Sequence, residues 1–70
     1  MTDVALLKEK IVESGMKQKA LYERLGISKT MWFYKLNGKY PFTAEQIQVL
    51  CDALRITSLR EKERIFFASK

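Results

Sequence analysis

The chain has 70 residues with a formal net charge of +5, 47% hydrophobic residues, one cysteine and no histidine. That length suits one domain that buries about 60% of its unfolded surface, with no room for a second functional unit. Without His there is no Ser-His or Cys-His catalytic pair, the lone Cys51 rules out an internal disulfide and a thiolate zinc site, and no glycine-rich phosphate cradle occurs. No enzyme activity, metal or cofactor is therefore expected.

Taken in chain order, the residues predict five short helices and no strand. Asp3 caps a first helix from Val4 to about Ser14, with Val4, Leu7 and Ile11 on one face and Leu6, Val12 and Met16 widening it. Gly15 ends it, and Gly26 and Gly38 end the next two in the same way. The second helix, about Lys17 to Leu25, sets Leu21 and Leu25 four apart, and Ile27 in the following turn plugs the gap between helices. Ser28 caps a third helix from Lys29 to Leu36 or Asn37, in which Trp32 and Leu36 face inward while Lys29, Thr30, Phe33 and Tyr34 lie on the outer and leading surface. Pro41 disfavours helix at Tyr40. Thr43-Ala44-Glu45-Gln46 is a capping box for a fourth helix with Ile47, Leu50, Cys51 and Leu54 on one face. At that spacing Cys51 is a buried, inert thiol. Ser58-Leu59-Arg60-Glu61 is a second box opening a terminal helix over about 58–68. No apolar run exceeds four residues, against about 20 for a membrane span, and no signal-peptide pattern opens the chain, so a cytoplasmic protein without membrane association is expected.

Charge is concentrated rather than spread. Residues 17–40 carry six basic side chains (Lys17, Lys19, Arg24, Lys29, Lys35, Lys39) against Glu23 alone, so the middle third of the chain accounts for the basic excess. A phosphate backbone is the commonest partner for such a face and an acidic protein surface the second. The same stretch is laid out as helix, glycine turn and Ser-capped helix, the arrangement of a helix-turn-helix.

Gln18 opening the second helix, Leu25-Gly26-Ile27-Ser28 at the turn and Leu36-Asn37-Gly38 closing the third resemble the Cro and phage-repressor class, the lambda-repressor-like DNA-binding domains. The resemblance covers about residues 4–56 and differs from the family pattern at Lys17, at Tyr22 and in the aromatic pair Phe33-Tyr34. It implies a compact all-α, five-helix domain in which Lys29, Thr30, Phe33 and Tyr34 approach base edges of an operator. It further implies that Gln18, Lys19, Asn37, Lys39 and Tyr40 meet the DNA backbone. Lys19, Arg24 and Lys35 are otherwise read as solvated charges with a phosphate contact as the alternative. Two functions follow: a repressor that binds double-stranded DNA as a homodimer, or an antirepressor on the same fold that engages another repressor protein through Met31, Phe33 and Tyr34. Ile65, Phe66 and Phe67 of the terminal helix either dock on the domain's own core or form a dimer interface.

Overall fold

The computed structural model describes residues 2–68 and contains, among them, five α-helices and no strand. The helices are α1 (Val4–Ser14), α2 (Gln18–Leu25), α3 (Lys29–Leu36), α4 (Ala44–Leu54) and α5 (Leu59–Phe66). The first and last two positions of the 70-residue chain lie outside the described residues.

Local chemistry starts the helices where short polar side chains satisfy orphan amides. Asp3 Oδ1 accepts from the Leu6 N–H at 3.0 Å and Ser28 Oγ from the Met31 N–H at 3.1 Å. Thr43 and Gln46 form the full reciprocal box, at 3.1 Å one way and 3.0 Å the other. The second expected box is half formed. Ser58 accepts from the Glu61 N–H at 3.4 Å, but the Glu61 carboxylate turns to Lys10 of α1 at 3.0 Å instead of closing on Ser58. That hydrogen bond raises the Lys10 ammonium pKa above the ordinary lysine value. α2 begins one residue later than expected, with Lys17 as an N-cap that offers no side-chain acceptor.

Trp32 sits at the centre of the core, with Leu7, Leu21, Leu36, Leu50 and Ile65 fully buried around it. α1 packs against α3, α4 and α5, and α2 against α3 and α4, so every helix contributes. Phe42 from the α3–α4 loop joins Trp32 to α5, its ring edge-on to both Trp32 (6.0 Å) and Phe66 (6.1 Å). Leu6 and Met16 pack against this core, but Val12 does not widen the α1 face and is 79% exposed. One step past Ile11 carries a side chain about 100° around the helix, which takes Val12 off the stripe.

The terminal helix also departs from expectation. It ends at Phe66, and Ile65 and Phe66 are buried in the core while Phe67 is left 55% exposed. A dimer surface built from all three is therefore unavailable, because two of them already seal the fifth side of the core. Phe66→Ala is expected to cost about 3–5 kcal/mol of stability through the lost transfer energy and the cavity left behind, read as a fall in the urea midpoint. A loss below about 1 kcal/mol would mean that α5 is not docked in solution.

Cys51 is buried and free, and desolvation raises its thiol pKa above the ordinary value. Modification by an aromatic disulfide reagent is expected to follow the rate of opening of the protein, and fast reaction of the folded state would contradict the burial. α4 ends on Arg55 in the left-handed region, at φ 59, the one positive-φ residue other than glycine among the described residues. Since a side chain there costs about 1–2 kcal/mol that glycine avoids, Arg55→Gly is expected to raise the thermal midpoint despite its greater unfolded-state entropy. A fall would show that Arg55 holds a contact worth more than the strain.

Candidate nucleic-acid interface

The turn between α2 and α3 is built on Gly26, at φ 71, whose N–H donates to Glu23 O at 3.1 Å, while the next residue, Ile27, donates to Tyr22 O at 3.2 Å. Trp32 then anchors α3 by its inner face, with the Tyr22 ring tilted against it at 6.4 Å. The bulk of Tyr22 is accommodated by this partly buried stacking on Trp32. With Trp32 and Leu36 turned inward, the outward surface of α3 is Lys29, Thr30, Phe33 and Tyr34, all exposed, the two aromatics at 40% each.

Gln18 stands at the first position of α2 and is linked to that anchor. The buried indole donates from Nε1 to Gln18 Oε1 at 2.9 Å, which leaves the amide nitrogen as the free polar end of an exposed side chain. Because Lys17 does not cap α2, the first-turn amides have no side-chain acceptor, and Lys17 and Lys19 flank them. Uncapped amides, a positive helix end, an amide donor and two ammonium groups together make a place for an anion.

The other end of α3 is a second polar group. Asn37 donates from Nδ2 to Phe33 O at 2.9 Å and accepts at Oδ1 from Lys8 Nζ at 3.2 Å. Lys39 donates its N–H to Tyr34 O at 2.8 Å, and its ammonium lies 4.4 Å from the Tyr34 ring centroid and 5.8 Å from that of Tyr40. The tyrosine rings meet edge-on at 5.7 Å. Tyr34 is thus grouped with Lys39 and Tyr40, not with Phe33 at the front of the helix. Cation–π contacts of this kind hold an exposed lysine without neutralising it.

Two lysines change their place in the sequence reading. Lys35 is neither solvated nor available to a phosphate: it is buried, and its Nζ donates to Pro41 O and to Gln46 Oε1. Its position three residues after Trp32 puts it on the inner side of α3, which residue type alone concealed. Lys8, which the sequence did not single out, reaches the end of α3 from α1 through a contact spanning 29 positions. No local pattern carries such a signal. Among the described residues no group of His, Cys, Asp and Glu is arranged to hold a metal ion, and no helix is long and apolar enough to cross a membrane.

An all-α chain whose second and third helices are joined by a glycine turn, with the third anchored by one face and open on the other, is a helix-turn-helix protein. Residues 7–59 match the family model of the Cro/C1-type HTH DNA-binding domain. The chain belongs to that family, and it is accordingly a DNA-binding regulator of a class typically without enzymatic activity. No curated protein and no solved structure matches it.

Proposed function

We propose that the protein is a sequence-specific repressor of the Cro-like phage or prophage type, which lays α3 in the major groove of a palindromic operator. The observation that carries this reading is the division of α3 into a face locked by Trp32 and Leu36 and an open face led by Lys29 and Thr30. Lys29 donates to guanine O6 or N7, Thr30 bonds a base edge or touches a thymine methyl, and Phe33 packs on such a methyl. Gln18 and Lys19 hold one phosphate run at the start of α2, and Asn37, Lys39 and Tyr40 hold another beyond α3, with Lys8 adding a cation there. Tyr34 supports Lys39 and Tyr40 and offers its hydroxyl at the edge of the reading surface.

One such module buries little surface on DNA, so useful affinity calls for two copies on half-sites about one helical turn apart. Of Ile65, Phe66 and Phe67, only Phe67 is left exposed for that contact. The test is selection of randomised duplex DNA by the purified protein at two salt concentrations, with sedimentation of the same sample. Enrichment of a palindrome bound by two copies, with affinity falling as salt rises, is the expected result. The exposed pair Phe33 and Tyr34 favours a second reading, an antirepressor that covers this face with another regulator. Absence of any enriched sequence would sink the repressor reading and move the weight there.

Phosphate contacts are separable from base contacts. Lys39→Ala is expected to weaken binding to all sequences alike and to flatten the salt dependence by about one unit. A loss confined to the preferred site would assign Lys39 to base readout instead.

A further inference from the structure

We propose that Lys35 is a positioning residue of the DNA interface, a buried clamp that fixes the Gly38–Pro41 segment and with it the presentation of Lys39 and Tyr40. The inference rests on the DNA-binding reading above.

Lys35 is 9% exposed and is the one buried charged side chain among the described residues. No carboxylate pairs with it, since the ion pairs among those residues all belong to Lys10. Its ammonium is held by neutral oxygens alone, Pro41 O and Gln46 Oε1, each at 2.9 Å, with the Phe42 ring centroid at 5.9 Å. Burying a cation on dipoles without an anion is unfavourable, and an apolar side chain at this inward position would avoid that cost. The donors of Lys35 are therefore the property to explain.

They join three elements. Gln46 Oε1 also accepts from the Thr43 N–H, and Gln46 donates its own N–H to Thr43 Oγ1, so Lys35 grips the capping box that starts α4. Pro41 O lies in the loop before it. At the other end of the same segment, Lys35 O accepts from the Gly38 N–H at 3.1 Å. One residue thus brackets four: its backbone holds Gly38 and its side chain holds Pro41, with Lys39 and Tyr40 between them. Gly38 sits at φ 83, so the segment leaves α3 by a sharp turn; the Lys39 N–H, bonded to Tyr34 O at 2.8 Å, fixes its start, and its far end takes a second fixed point. Pro41 lacks an N–H and cannot supply that point as a donor. Its carbonyl, captured by Lys35, does.

The test compares the wild type with Lys35→Met, which keeps an apolar stem and removes the donors. The variant is expected to remain folded by circular dichroism, to lose the ring–ring nuclear Overhauser contact between Tyr34 and Tyr40, and to lose DNA affinity by the same factor as Lys39→Ala. The salt slope should drop by about one unit, and the double variant Lys35→Met/Lys39→Ala should lose little more than either single one. Wild-type affinity and slope in Lys35→Met, or losses that multiply in the double variant, would overturn the proposal. Should Lys35→Met fail to fold, nitrogen-15 relaxation of the wild type decides: Lys39 and Tyr40 must be as rigid as α3, and picosecond–nanosecond mobility there would overturn the clamp. A wild type that binds no duplex DNA would refute the DNA-binding reading, while the magnetic-resonance results would still report on the clamp itself.

Discussion

Trp32→Ala is expected to destabilise the protein by about 3–5 kcal/mol, a large part of the 5–15 kcal/mol that holds a small domain together. The ring is wholly buried, touches the Tyr22 and Phe42 rings, and occupies the junction of α2, α3 and the α3–α4 loop. Truncation leaves a cavity that three elements would have to move to fill, and it strips Gln18 of its 2.9 Å donor. Urea titration followed by circular dichroism measures the effect, since the fluorophore is removed with the ring. Trp32→Phe separates the two roles: it retains most of the packing and deletes the indole N–H. It should stay folded and bind DNA less tightly, because Gln18 is released from the start of α2. A cost below about 1 kcal/mol for Trp32→Ala would show that the core does not centre on this ring.

The helices were readable because their ends are made locally. Asp3, Ser28 and Thr43 each meet an amide three residues ahead, and glycines at 15, 26 and 38 adopt the left-handed conformation that stops the preceding helix. What failed were features decided by partners far along the chain. Glu61 has the spacing of a capping box, but the ammonium of Lys10, 51 positions away, is the better partner for its carboxylate. Ile65, Phe66 and Phe67 are equally apolar in sequence. Only the docking of α5 on Phe42 and α1 decides that the first two are core and the third is surface. Within the candidate interface, residue type outweighed periodicity at Lys35, whose spacing from Trp32 marked an inward position that its charge denied. The grouping of Tyr34 with Tyr40 depended on the direction of the loop after Gly38, which helical spacing does not specify.

Lys29→Ala is expected to cost about 1–3 kcal/mol on the preferred DNA site, about five- to 150-fold, and to relax preference at one base pair. Lys29 is the first residue of α3, placed by the Ser28 cap, and the N-terminal residues of a recognition helix are those that reach base edges. Its effect on folding has the opposite sign. A cation at a helix N-terminus faces the positive end of the dipole, and α3 has no acidic residue in its first turn to offset it. Removing the charge should therefore leave stability unchanged or raise it by about 0.3–1 kcal/mol. Lost binding alongside kept or improved stability assigns the lysine to the ligand and not to the fold. Binding profiles over all single-base variants of the selected operator supply the measurement, with a thermal melt of the same sample. An equal loss on every sequence would make Lys29 a phosphate contact, and unchanged binding would remove the leading edge of α3 from the interface.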